Sequence, residues 1–175
     1  MVRFRALAAC AAFALSLAVG PAPALAAVPA AARQETLFLG DYEPGTIVVF
    51  TGARQLFLVT GHETALQYDI AVGKPSEQWF GTSWVSKKRL DPVWVPTASM
   101  REAKPTLPAS VGPGPKNPLG KRAMNLGWGT YRIHGTNSPN SIGSAASAGC
   151  FRMRNADVVD LFERVHVGAE VIVLQ

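Results

Sequence analysis

Between Thr46 and Thr60 the chain carries two short apolar runs, Thr46-Ile47-Val48-Val49-Phe50-Thr51 and Gln55-Leu56-Phe57-Leu58-Val59-Thr60, around the break Gly52-Ala53-Arg54. Runs this short, rich in β-branched and aromatic residues and joined by a glycine-containing turn, read as the two arms of a β-hairpin. After Gly61-His62-Glu63, the segment Ala65–Val72 alternates apolar and polar residues, as a strand with one buried face does, and Gly73-Lys74-Pro75 ends it. Near the C-terminus the period changes. Val158, Leu161, Phe162 and Val165 fall on one helical stripe, Asn155 is expected to cap it, and Asp157 sits where the positive end of the helix dipole favours a carboxylate. Gly168 is placed to end that helix or the turn after it, and Ala169–Leu174 closes the domain as a strand. The pattern predicts a mainly β domain with one clear α-helix near its C-terminus.

The first 26 residues have the layout of a secretory signal: Arg3 and Arg5, an apolar stretch from Ala6 to Val19, then Ala24-Leu25-Ala26 as a small-x-small cleavage site. Cys10 falls inside it, with too few apolar residues before it for a lipoprotein acceptor, and is read as discarded with the signal. Residues 27–44 are expected to form an N-terminal tether, Ala-rich at its start, with the folded domain running from 45 to 174. No later stretch approaches the roughly 20 apolar residues of a membrane-crossing helix, so no membrane span is expected after signal cleavage. Of the net charge of +5, Arg3 and Arg5 account for two. The remaining basic residues are scattered except for Lys87-Lys88-Arg89, which reads as a solvated loop or the guard of an edge strand, and nothing points to nucleic acid.

Residues 91–120 are dense in proline and glycine, with Asp91-Pro92, Val95-Pro96, Lys104-Pro105, Gly112-Pro113-Gly114-Pro115 and Asn117-Pro118-Leu119-Gly120. A stretch that long without regular structure inside a compact domain is either functional or a flexible excursion. Trp94, Met100 and Leu119 give it apolar anchors, which favours an ordered loop beside a cleft.

Without the signal, the chain has one cysteine, Cys150, in Ser147-Ala148-Gly149-Cys150-Phe151-Arg152. A lone thiol in an exported chain is a packing residue, an intermolecular link or a nucleophile. Thiolate chemistry needs a base, because an ordinary thiol with a pKa of about 8.5 is only a few per cent ionised at neutral pH. His134, in Tyr131-Arg132-Ile133-His134-Gly135-Thr136, lies sixteen residues upstream, and the intervening segment is rich in turn formers, so a strand return could bring the two together. A core histidine and a buried small hydrophobe are the structural alternatives. Gly149 would let the backbone approach a substrate, and the amides of Gly149 and Cys150 are candidate oxyanion donors. Arg152 shares the parity of Cys150 and could hold a substrate carboxylate or pair with Asp157. His62 and His166 read as structural, and three histidines with one thiol lack the clustered spacing of a zinc site; neither a metal nor a cofactor is expected.

Taken in order, Ile133-His134-Gly135-Thr136-Asn137, Ile142-Gly143, Ser147-Ala148-Gly149-Cys150-Phe151-Arg152-Met153, Asn155 and Asp157 resemble the YkuD-type L,D-transpeptidase catalytic domain, with Pro92–Pro96 and Asn117–Gly120 extending the likeness upstream. The resemblance covers about residues 45–174 and implies a β-sandwich of the L,D-transpeptidase type. It implies a periplasmic enzyme of peptidoglycan metabolism, in which a cysteine attacks the diaminopimelate carbonyl of a tetrapeptide stem, D-alanine leaves, and an amine resolves the thioester. That amine would belong to another stem, giving a 3→3 cross-link, or to an acceptor envelope protein; water in its place would make an L,D-carboxypeptidase. By position Cys150 matches the nucleophile, His134 the base, the Gly135 carbonyl its orienter and Arg152 the motif arginine, with Ser147 and Gly149 in the supporting turn. One departure is Ala148, where family members commonly carry a second histidine. Its loss leaves open a second expectation, a catalytically silent peptidoglycan-binding module.

Overall fold

The computed structural model describes residues 35–175; the signal segment, Cys10 and the tether before Glu35 lie outside them. The strands are β1 (Glu35–Leu37), β2 (Ile47–Phe50), β3 (Gln55–Gly61), β4 (Thr64–Gly73), β5 (Gly81–Leu90), β6 (Arg122–Leu126), β7 (Arg132–His134), β8 (Ala145–Ser147), β9 (Phe151–Met153) and β10 (Glu170–Leu174). Two α-helices join them, α1 (Ala98–Ala103) and α2 (Asn155–Arg164). The expected hairpin is β2–β3, with Ile47 opposite Leu58 and Phe50 opposite Gln55.

The strand order is β1-β4-β3-β2-β10-β5-β6-β7-β9, and β9 pairs back onto β4 through Ile70↔Met153 and Ala71↔Arg152. The mainly β class expected from the sequence is therefore present, but the layers of the expected sandwich are joined into one closed sheet. Its interior is filled by alternate residues of the strands, among them Ile47, Val49, Leu56, Tyr68, Ile70, Met124 and Phe151. The α2 stripe Val158, Leu161 and Phe162, continued by Val165, joins the same core, and the helix packs against β6.

Three expectations need correction. The tether was drawn too long: Glu35–Leu37 pairs with β4, and Phe38 is buried with Val48, Phe57, Val59 and Ala65 on the outer face of the hairpin. That second cluster explains why β2 is apolar at every position, since both its faces are covered. Burying a Phe side chain there contributes about 1.5–3 kcal/mol, enough to hold a short strand that no local pattern announces. Lys87-Lys88-Arg89 guards no edge, because β5 lies between β10 and β6. Lys88 instead spends its charge locally, donating to Val165 O at 2.7 Å with its ammonium 4.3 Å from the Phe162 ring centroid.

The third correction concerns Asn155, which is the first residue of α2 and not its cap; Arg154 holds the cap position without a side-chain bond. Gly168, with φ +95°, belongs to the turn after the helix. The 91–120 excursion is ordered, as its apolar anchors led one to expect, and is knitted by its own bonds. Trp94 and Val111 exchange backbone bonds at 2.9 and 2.8 Å, Asn117 Nδ2 donates to Pro92 O at 2.6 Å, and Thr97 Oγ1 caps α1 by accepting from Met100 N at 3.2 Å. The sequence offered no periodicity for so short a helix.

Candidate active site

Strands β7 and β9 run parallel, with Ile133 opposite Phe151 and His134 opposite Arg152. Side chains alternate across a strand, so this register sorts the two segments by parity. Ile133 and Phe151 enter the core. Arg132, His134, Cys150 and Arg152 therefore share the other face, and all four line one cleft of about 640 Å³. The 91–120 loop forms another wall through Trp94, Thr97, Met100 and Leu119, so its expected anchors face the cleft. Ser147 and Ala148 line it too, whereas His62 and His166 do not.

His134 is only 5% exposed. Its Nδ1 lies 2.6 Å from Gly135 O, and since a carbonyl can only accept, Nδ1 carries the hydrogen and Nε2 keeps the lone pair. Burial lowers the imidazole pKa to about 4; the Gly135 bond pulls it upward, while the charges of Arg152 and Arg132 lower it further.

Gly135 is itself tightly placed. Its amide donates to Arg122 O at 3.0 Å, and a Cβ there would come within 2.3 Å of Asn155 Oδ1. Asn155 donates from Nδ2 to Thr136 O at 2.9 Å and accepts from Lys121 N at 3.0 Å on Oδ1. The residue expected as a helix cap is thus a strut between the loop before β6 and the Gly135-Thr136 backbone that steers the imidazole.

Cys150 is half-buried, with its Sγ 3.9 Å from Thr130 O, at the long limit for a thiol donor. Burial pushes its pKa above the ordinary thiol value. The Arg132 backbone amide and the Arg132 and Arg152 charges pull it down without prevailing. Burial thus favours the neutral form of both groups, and the thiol points at a backbone carbonyl.

Ser147 supports the turn below the sulfur. Its Oγ donates to Cys150 O at 2.5 Å, and its carbonyl accepts from Lys74 N at 3.0 Å, which ties the turn to the end of β4. Gly149 has φ +94°, and a Cβ there would lie 2.5 Å from Tyr131 Cε1. Only glycine suits both that backbone and that ring. Arg152 is partly exposed in the cleft, while Arg154 approaches Asp157 at 3.9 Å. Among the described residues no three His, Cys, Asp or Glu side chains gather as a metal site would require.

Sequence reasoning missed Arg132. The signal was available, since Arg132 stands two residues before His134 and so shares its face. Thr130 and Tyr131, which abut the thiol and Gly149, carried no such mark.

A family profile described as the L,D-transpeptidase catalytic domain, YkuD, matches residues 44–173. The Escherichia coli K12 protein named Probable L,D-transpeptidase YbiS is 36% identical over 146 residues, covering 79% of this chain and 47% of its own. The chain thus spans about half the length of that relative, as it does for the Salmonella typhimurium protein named Probable L,D-transpeptidase ErfK/SrfK, 36% identical over 149 residues, 81% of this chain and 47% of that one. Among solved structures, a Brucella melitensis protein described as a probable carnitine operon oxidoreductase is 47% identical, covers 83% of this chain and 95% of its own, and superposes with a TM-score of 0.55. An L,D-transpeptidase from Mycobacterium smegmatis shares the fold at TM-score 0.60 and 22% identity, over 74% of this chain and 58% of that one.

Proposed function

Because the chain belongs to the YkuD family of L,D-transpeptidase catalytic domains, we propose that it is an exported cysteine acyltransferase acting on the tetrapeptide stems of peptidoglycan. The observation that carries this reading is the shared cleft face at β7 and β9, where His134 on β7 and Cys150, the residue just before β9, line one cleft with Nε2 of the imidazole left as a base.

In this reading Cys150 Sγ attacks the diaminopimelate carbonyl that precedes the terminal D-alanine. Burial disfavours a standing ion pair, so the thiol proton passes to His134 Nε2 as the S–C bond forms, which is general-base catalysis. The oxyanion that develops is met by the backbone amides of Gly149 and Cys150. Collapse breaks the C–N bond, the imidazolium returns its proton to the leaving D-alanine amine, and a thioester to Cys150 remains. An acceptor amine then gives its proton to His134 and takes the acyl group, and the sulfur regains its proton as it leaves. Arg152 and Arg132, both lining the cleft, are cations suited to hold carboxylates of a stem.

With a second stem as acceptor the product is a 3→3 cross-link, and with a protein amine the product is a wall-linked protein; water in the second step would trim the stem. The site of action is the periplasm, reached by export on the signal segment. Among the described residues no helix is long and apolar enough to cross a membrane.

Ala148, exposed in the cleft, motivates the second reading, a module that binds the wall without reacting. Intact-protein mass spectrometry after mixing with a carbapenem separates the two. A covalent adduct that maps to Cys150 is the expected result; saturable binding with no mass change would establish the module and end the enzyme reading.

A further inference from the structure

Trp79 lies outside the cleft lining, between β4 and β5, and is 8% exposed. Its indole N–H reaches across the fold to donate to Gly149 O at 3.0 Å. The ring is held for that purpose: Tyr131 stacks on it with centroids 5.0 Å apart, Trp128 meets it edge-on at 4.6 Å, and Phe151 lies at 5.5 Å. Tyr131 also closes on Gly149, leaving no room for a Cβ.

The carbonyl that Trp79 grips belongs to the same peptide as the Cys150 amide. In a planar trans peptide C=O and N–H point to opposite sides, so fixing one aims the other. With Gly149 O drawn toward a buried indole, the Cys150 N–H is turned away from the core, to the side of the cleft. The next carbonyl, Cys150 O, is held by Ser147 Oγ, so the peptides on both sides of the nucleophile are pinned. Glycine at 149 makes such pinning necessary, because a residue without a Cβ resists a peptide flip poorly. A flip would present a carbonyl oxygen, an acceptor, where a developing oxyanion needs a donor.

We propose that Trp79 is a positioning residue for acyl transfer, holding the Gly149–Cys150 peptide so that the Cys150 amide faces the oxyanion. The proposal rests on the acyl-transfer reading above.

The test compares two reactions of the same sulfur in wild type and Trp79→Phe, which keeps an aromatic ring and removes the N–H. Acylation by a carbapenem passes through a tetrahedral oxyanion, whereas alkylation by iodoacetamide is a displacement at a methylene carbon and needs no oxyanion donor. Direct loss of one oxyanion donor slows such enzymes about 10²–10³-fold, and an indirect loss through Trp79 is expected to slow acylation roughly 10–100-fold. Alkylation at fixed pH should stay within about twofold of wild type. Equal slowing of both reactions, or of neither, overturns the role of Trp79. A wild-type protein that is alkylated but never acylated overturns the acyl-transfer reading and the proposal together. If Trp79→Phe fails to fold, replacing Trp79 with benzothienylalanine keeps the bicyclic shape with sulfur in place of N–H and is judged by the same pair of rates.

Discussion

The two faces of the β7–β9 pair carry opposite kinds of residue although only a strand's thickness separates them. On one face Ile133, Phe151 and Met153 are buried in the core. On the other, one residue along each strand, stand Arg132, His134, Cys150 and Arg152. The same short ladder is both the floor of the site and the wall of the core. The sulfur proposed to react is thereby backed by the packing of the core, and strand parity separates the proposed chemistry from stability. Substitutions on the cleft face should silence the reaction and spare the fold, and substitutions on the core face should do the reverse.

The largest effects belong to the cleft face. Cys150→Ala should abolish adduct formation altogether while shifting stability by no more than about 1 kcal/mol, read by mass spectrometry and urea denaturation. His134→Gln should slow acylation by about 10²–10⁴-fold, since a carboxamide cannot accept the proton. On the core face, Met153→Ala should cost about 2–5 kcal/mol of unfolding free energy, yet the fraction that remains folded should still acylate. A Met153→Ala protein of full stability would break the comparison.

The pH response sharpens the cleft side. His134 is held down to about 4, so acylation should persist as pH falls through the ordinary imidazole range and decline only near pH 4, where Nε2 is protonated. The thiol is pushed up, so iodoacetamide alkylation of Cys150 should still be climbing above pH 9. A plateau reached below pH 7 would mean a standing thiolate. Stability carries the matching sign. Below the unfolded histidine pKa of about 6.5 the unfolded chain takes a proton that the folded His134 refuses, so stability is lost as pH falls from there toward 4. Between pH 7 and 4.5 this amounts to roughly 2 kcal/mol, and His134→Gln should remove it. The smallest effect expected is Ile133→Val, at about 0.5–1.5 kcal/mol in urea with no change in acylation rate.

What could be read in advance follows from how local each signal is. The β2–β3 hairpin and the α2 stripe were legible because turn chemistry and a 3.6-residue period are written in consecutive residues. β1 was not, because three residues gain their place only through β4 and the cluster around Phe38. β5 was read as a solvated loop or an edge-strand guard from its three cations, because the partners of Lys88, Phe162 and Val165, come from α2 and the turn after it. In the candidate site, Cys150 and His134 were singled out by motif and spacing, and parity would have added Arg132 to the same cleft face. The pull of burial and of two arginine charges on the imidazole and the thiol is not legible in any spacing. Asn155 and Trp79 act through backbone atoms of distant segments, a kind of contact that leaves no local pattern.

The central claim is that Cys150 carries an acyl group from a stem peptide. It is tested most directly by mixing the protein with a purified disaccharide-tetrapeptide, quenching in acid, and measuring intact mass and free D-alanine. The account predicts an acyl adduct on Cys150 with release of one D-alanine per adduct, both absent in Cys150→Ala. Free D-alanine released equally by wild type and Cys150→Ala, or no adduct and no D-alanine from a folded wild-type protein, would contradict it.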